Sequence, residues 1–319
     1  MNGKNLKGIV IKAQAGIYNV KIENDNRIID CYLRGRLKRD NMTEDGKYMF
    51  TDPIAVGDEV LIALADGQKG AIEFINERRS KLSRLASGTI QVEQVIVANA
   101  DQMIAVISAK LPKLKTRLID RFLILAEAGS IDPVICINKM DLLDDSEKID
   151  LYRQMQLYEH LGYKVIYISA LKGDGLEFVI NTLRGKLSAF IGQSGTGKTT
   201  LLNALIPDLN SLTKDISHKT RKGKHATTSV QLYPLDFGGY IVDTPGIREL
   251  GLWDIWKEDM HLYFPEMKLY LGHCKFYNCS HISEPECAIR NAVKNGDINP
   301  ARYDSYVKLR TNVSREDKE

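Results

Sequence analysis

LSAFIGQSGTGKTTLLNALI, residues 187–206, decides the architecture. Its centre fits G-x-x-x-x-G-K-[ST] at every fixed position, with an apolar strand-like run before it and a helical run after it. A strand that stops at Gly192 and a helix that starts near Lys198 leave a loop whose backbone N–H groups converge on an anion at a helix N-terminus. Gly192, Gly195 and Gly197 permit the close backbone approach, and Gln193, Ser194 and Thr196 fill the loop between them. Lys198 is placed to reach the β- and γ-phosphates of a nucleotide, the Thr199 hydroxyl to ligate Mg²⁺, and Thr200 completes the phosphate-binding set.

On either side of this loop, short apolar runs alternate with helical ones. QMIAVIS (102–108), PVICINK (133–139), YKVIYIS (163–169), VQLYPLDF (230–237) and GYIVDT (239–244) read as strands. In 115–129, Leu118, Phe122, Leu125 and Ala126 fall on one helical face. That rhythm implies a mostly parallel sheet covered on both faces. Three more motifs sit at strand ends. Asp243-Thr244-Pro245-Gly246 offers a carboxylate for water-mediated Mg²⁺ binding and, at Gly246, an amide to sense a γ-phosphate. Asn138-Lys139-Met140-Asp141 has the form N-K-x-D, in which the Asp141 carboxylate accepts from the guanine N1–H and exocyclic amine. Adenine presents the opposite pattern, so wrong groups are left unpaired and GTP is favoured over ATP. Ser169-Ala170 matches the companion loop at the guanine O6. The order is N-K-x-D, S-A, phosphate loop, D-T-P-G, a cyclic shift of the order in ordinary GTPases, which a fold with neighbouring termini tolerates.

Between the phosphate loop and D-T-P-G lies SLTKDISHKTRKGKHATTS (211–229), long, polar and basic, in the manner of a loop ordered by nucleotide or partner. Thr227 or Thr228 is a candidate to close on Mg²⁺. Ile247 follows D-T-P-G where many GTPases place a water-orienting Gln, so unaided hydrolysis is expected to be slow and His225 is a candidate to position the water.

Residues 1–74 read as a small closed barrel of four or five strands, among them GIVIKAQ, GIYNVKIE, RIIDCYLRG and GDEVLIALA. Residues 75–90, basic and poor in strand formers, read as a linker. The nucleotide domain takes 91–254, and 255–319 loses the strands, with helices expected over about 284–294 and from Asn299, where Pro300 takes the first helical position. Here Cys274, Cys279, His281 and Cys287 make a closed tetrahedral Zn²⁺ set, one structural ion per chain. Cys31 and Cys136 read as core thiols.

With 319 residues, 44% hydrophobic and 27% charged, the composition excludes disorder, collagen and disulfide scaffolds. No apolar run approaches a membrane span, and MNGKNLKGIVIKAQ lacks a secretory core, so a cytoplasmic location is expected; a monomer is the separate expectation for its assembly. A net charge of +3 does not diagnose a nucleic-acid binder. Three local clusters do suggest RNA phosphate contacts: Arg34, Arg36, Lys38 and Arg39; Arg78, Arg79, Lys81 and Arg84; Lys219, Arg221, Lys222 and Lys224.

QVIVANADQMIAVIS, LIDRFLILAEA, NKMDLL, GQSGTGKTTLLNAL, GKHATTS, DTPGIREL and the Cys-Cys-His-Cys set, in this permuted order, resemble one family, the circularly permuted, ribosome small-subunit-dependent GTPases. The resemblance spans nearly the whole chain. It implies an OB-type N-terminal barrel, a permuted P-loop domain and a zinc-binding, mainly helical C-terminal domain. It also implies GTP hydrolysis to GDP stimulated by the small (30S) subunit late in its assembly, with 16S rRNA gripped by barrel and zinc module. His225 would be the family's switch histidine, while Ala226 stands where the family usually has Thr, which turns the Mg²⁺-sensing role toward Thr227. The rival readings are a P-loop ATPase or GTPase of RNA modification, and a GTP-regulated RNA-binding scaffold.

Overall fold

The structure is a computed structural model, which describes residues 5–14, 16–25, 27–35, 37, 52–64, 69–85, 93–206, 230–243 and 255–316. Five strands, β1 (Leu6–Gln14), β2 (Ile17–Ile22), β3 (Ile28–Leu33), β4 (Glu59–Leu64) and β5 (Lys69–Ile75), close into a barrel in the order β1-β2-β3-β5-β4. Strict alternation drives it: every second residue of β3 is buried, and Val10, Val20, Cys31, Ile62 and Ile72 are fully enclosed. Gly70 has no side chain because a Cβ there would lie 2.7 Å from the Cys31 sulfur.

Residues 81–85, inside the stretch read as a linker, form β6 (Lys81–Leu85), which pairs with β7 (Glu93–Ala98). The basic residues that argue against a strand find partners instead. Lys81 reaches Glu93 at 2.8 Å, Arg84 donates to Gln94 at 2.8 Å, and Leu82 turns inward. β7 lies against the barrel: Ala98 N–H donates to Val56 C=O, and Gly57, at φ 92°, meets the Ala98 carbonyl where any Cβ would overlap it. Arg78 clasps the buried Asp58 with two hydrogen bonds of 2.7 Å.

The central sheet runs β10-β9-β8-β11-β13-β12, built from β8 (Gln102–Ser108), β9 (Asp132–Asn138), β10 (Lys164–Tyr167), β11 (Leu187–Ile191), β12 (Leu232–Pro234) and β13 (Tyr240–Asp243). All neighbours are parallel except β12. β8 and β11 are buried along their whole length, as strands covered on both faces must be. The covering helices are α1 (Thr116–Ala128), α2 (Asp145–His160), α3 (Leu176–Leu183) and α4 (Lys198–Leu205). α2 opens with a capping box between Asp144 and Glu147. On α1, Phe122, Leu125 and Ala126 are buried and Leu118 packs partly against the same core.

The C-terminal region holds α5 (Pro265–Lys268), α6 (Ala288–Asn295) and α7 (Pro300–Glu316). Asn299 caps α7 through the Ala301 N–H at 2.9 Å, and Gly296, at φ 87°, ends α6. α6 begins four residues later than the sequence suggests, because Glu284 folds back onto the amides of Ser280, Ile282 and Ser283 and leaves Cys287 as the cap. This region is fastened to α1 by Arg302, which is 1% exposed. Its guanidinium donates to Asp120 at 2.6 Å and to Glu266 at 2.7 and 3.2 Å, and lies 4.6 Å from the Phe264 ring centre. Among the described residues, no helix is long and apolar enough to cross a membrane.

Replacing Arg302 with Met leaves two buried carboxylates without their cation, and breaking a buried network of this kind costs about 3–5 kcal/mol. Urea unfolding of Arg302→Met is expected to show that loss, whereas Lys308→Ala, at the exposed pair with Asp304, leaves the midpoint unchanged.

Candidate functional site

The C-terminal ends of β8, β9, β10 and β11 converge on one cleft, the position at which open α/β sheets bind ligands. At its centre is Asn138, the last residue of β9 and 2% exposed. Its amide nitrogen donates to the Thr196 carbonyl of the phosphate loop at 2.9 Å. Its amide oxygen accepts from the Lys139 N–H at 2.8 Å and the Ala170 N–H at 2.9 Å. One side chain thus ties the N-K-x-D turn, the S-A loop and the phosphate loop together. Gly197, at φ 86°, meets this amide so closely that a Cβ would overlap Asn138 Nδ2. That contact is why the position admits only glycine.

Lys139 adopts φ 67°, which swings its side chain across the cleft. Nζ donates to the Gly195 carbonyl at 2.5 Å and to the Leu111 carbonyl. The aliphatic stem is thereby laid along the cleft wall. Asp141 accepts from the Ser169 hydroxyl at 2.6 Å, which orients the carboxylate, and Ser169 Oγ accepts in turn from the Lys172 N–H. The Ala170 N–H is already given to Asn138, so a guanine O6 arriving there would share that donor.

In the phosphate loop, Gln193, Ser194 and Gly195 face solvent, and Lys198, Thr199 and Thr200 open α4. Thr196 departs from the rest, because its side chain is buried and donates back to the Gln193 carbonyl at 3.0 Å. It braces the loop from within and offers only its backbone to a ligand. The β11–β13 register sets Asp243 beside Phe190, two strand positions from Gly192. Gly246, His225, Thr227, Thr228 and the basic run Lys219–Lys224 lie outside the described residues.

Matches to two family models cover most of the chain: one described as RsgA GTPase over residues 75–253, the other as the RsgA N-terminal domain over residues 7–72. The chain belongs to the RsgA GTPase family. Among curated relatives named "Small ribosomal subunit biogenesis GTPase RsgA", the Bacteroides fragilis protein is 37% identical over 304 residues, covering 95% of this chain and 96% of its own. That of Gemmatimonas aurantiaca is 40% identical over 306 residues, covering 95% and 96%. YjeQ from Thermotoga maritima superimposes with a TM-score of 0.78 at 34% identity, over 97% of this chain and 99% of its own. YloQ, described as a circularly permuted GTPase, does so at 0.74 and 33%, over 98% and 96%. The RsgA assignment makes the chain an enzyme, a permuted GTPase that acts on GTP and yields GDP.

The second cluster lies in the C-terminal region. Ligand atoms of Cys274, Cys279, His281 and Cys287 all fall within 4.8 Å of one another. The Cys274 and Cys287 sulfurs are 3.8 Å apart, and His281 Nδ1 is 3.4 and 3.5 Å from them. A tetrahedron with metal–sulfur bonds of about 2.3 Å and metal–nitrogen bonds of about 2.0 Å has edges of about 3.8 and 3.5 Å, so the set fits a zinc-like ion. Burial pushes the His281 imidazole down to about 4, which keeps it neutral and able to ligate. Burial raises the Cys279 and Cys287 thiols, while the backbone N–H groups of His281 and Arg290 oppose that rise. Thiols held up in this way ionise when a cation joins them. The loop is clamped from α7: Tyr303 donates to the His281 carbonyl and Tyr306 to the Ser280 carbonyl, each at 2.7 Å.

The cation clusters fare differently. The second is spent internally, on Asp58, Asp101, Glu93 and Gln94, and Arg34 pairs with Glu73 at 2.9 Å. A fourth run, Lys110 to Arg117, lies beside the phosphate loop and carries no motif that would single it out in the sequence. Its importance comes from the Lys139–Leu111 contact, which only the fold creates.

Cys279→Ser removes one of three thiolates. Metal per chain, counted by mass spectrometry, is expected to fall from one toward zero, and the thermal unfolding midpoint to fall with it. Cys136→Ser, at a buried thiol far from the cluster, is expected to leave the metal count unchanged.

Proposed function

We propose that this chain hydrolyses GTP to GDP and phosphate on the small ribosomal subunit, late in its maturation, with 16S rRNA as the element that completes the catalytic site. The observation that carries this reading is the Asn138 bridge, which holds a guanine-type turn against a phosphate loop within one cleft. The names of the relatives, small ribosomal subunit biogenesis GTPases, supply the partner. The chain acts as a cytoplasmic monomer, with 1–74 as rRNA-binding barrel, 75–90 as connection, 91–254 as GTPase domain and 255–319 as zinc-binding domain.

In this scheme the Asp141 carboxylate, oriented by Ser169, accepts from guanine N1–H and the exocyclic amine, and Ala170 serves O6. Lys139 covers the base edge with its stem. Backbone N–H groups from Gln193 to Thr200 surround the β-phosphate, and Lys198 balances charge that develops toward the γ-phosphate. The Thr199 hydroxyl would ligate a Mg²⁺ ion and the Asp243 carboxylate would hold it through water, and the ion would supply positive charge against the phosphates. His225 orients the attacking water, Thr227 and the Gly246 amide report the γ-phosphate, and rRNA orders the basic segment that carries His225. One zinc ion per chain, held by Cys274, Cys279, His281 and Cys287, is structural, since four protein ligands leave no open position.

GTP turnover with and without purified 30S subunits tests the reading: strong stimulation is expected, and an unchanged rate overturns it. Asp141→Asn is expected to exchange GTP for xanthosine triphosphate as the preferred substrate, an exchange that an ATPase or a non-catalytic scaffold would not show. His225→Ala is expected to lower stimulated kcat about 10²-fold with GTP affinity retained.

A further inference from the structure

The segment that leads from β8 into the first turn of α1 reads KLPKLKTR, residues 110–117, with Lys110, Lys113, Lys115 and Arg117 all exposed. No acid occurs from 102 to 119. Among the described residues, only Lys110 of these four has an ion pair, with Glu147 at 2.7 Å. Lys113, Lys115 and Arg117 therefore present one sign of charge, in contrast with the residue 78–84 cluster, whose cations are consumed within the fold. Leu111 stands among them 64% exposed.

The segment is fixed at three places. Lys110 is held to the first turn of α2. The Leu111 carbonyl accepts from Lys139, which also donates to Gly195 of the phosphate loop, and a Cβ at Gly195 would come within 3.7 Å of Pro112 Cδ. Beyond it, the Tyr158 hydroxyl, which donates to Asp120 at 2.8 Å, lies 3.4 Å from the Thr116 carbonyl. A cationic surface this rigid loses little side-chain and loop entropy when an anionic partner binds, so more of the attraction appears as affinity.

We propose that residues 110–117 form an RNA phosphate-backbone contact on the nucleotide face of the GTPase domain, separate from the barrel and the zinc cluster. The proposal rests on the small-subunit reading above and deepens it by naming the surface that carries the contact. Three cations with no ion pair among the described residues suit a phosphate strand, because each neutralised phosphate releases condensed counterions whatever the base sequence. Its bond to Lys139 means that RNA seated here bears on both the guanine turn and the phosphate loop.

The test uses the full chain carrying Lys113→Glu with Lys115→Glu, and separately Lys113→Gln with Lys115→Gln. Both positions are exposed and lie outside the nucleotide contacts, so basal GTP turnover is expected to stay at the parental rate. Binding to 30S subunits and to protein-free 16S rRNA is measured across salt concentrations. Two lost phosphate contacts are expected to flatten the slope of log K against log salt by about 1.4–1.8 in both cases. Stimulation by 30S subunits at limiting concentration is expected to fall at least about tenfold, less for the Gln pair. A parental slope in both variants overturns the proposal. So does weaker binding to 30S subunits with unchanged binding to protein-free rRNA, which would assign the segment to an acidic protein. If the parental chain is not stimulated by 30S subunits, the functional reading fails, and the rRNA slope still decides this contact.

Discussion

The nucleotide cleft depends on a single buried amide. Asn138 makes three hydrogen bonds to three separate loops, and each loop arrives from a different strand end. A buried amide must satisfy its donors and acceptors, or lose about 1–3 kcal/mol for each group left unpaired. That cost fixes the spacing between the guanine turn and the phosphate loop more firmly than either loop could alone. Gly197 follows from the same constraint, since the amide occupies the space that a side chain would need. Lys139 adds a second bridge over the same gap, using the stem of a long side chain as the wall of the cleft.

Circular permutation leaves this constraint untouched, because it changes the order in which strands are made and not which strand ends meet. What it changes is the neighbourhood. β13 ends at Asp243, and the chain then leads toward the C-terminal region instead of onward through the sheet. α1, on the other side of the same sheet, is gripped by Arg302 from α7. The charges in that grip are almost wholly excluded from water, so the attraction is little screened and the penalty for parting them is high.

Much of this was legible from residue types. Alternation identified the barrel strands because one face is wet, and unbroken apolar runs identified β8 and β11 because neither face is. Asn299-Pro300 marked a helix start through local backbone chemistry alone. The misreadings have a common origin in partners distant along the chain. β6 looks like a linker until Glu93 and Gln94 are placed opposite its Lys and Arg. The start of α6 is displaced by Glu284, whose carboxyl is held down at about 2 by the Ser280 hydroxyl and nearby amides despite the opposing effect of burial. Glu266 and Arg302 belong to no motif, and only packing shows that they form one network with Asp120.

These tethers bear on how the protein senses its nucleotide. The C-terminal region joins the nucleotide domain along the chain, through the residues that follow Asp243, and in space on α1, where Arg302 of α7 meets Asp120, Lys268 lies 3.7 Å from Glu127 and both regions share one apolar core. The first connection leads from the D-T-P-G turn, where a γ-phosphate would act. The second leads through α1 to Leu111, Lys139 and Gly195, on the guanine and phosphate-loop side. The Tyr303- and Tyr306-clamped Cys/His loop lies in the region that these connections anchor. Where two sites are coupled the coupling is reciprocal, so a partner that gripped that loop and shifted the cleft would be favoured in turn by the nucleotide with the same free energy, typically about 1–3 kcal/mol. An energy of that size changes an equilibrium by roughly one to two orders of magnitude, which is enough for a bound partner to control the nucleotide state without touching the nucleotide.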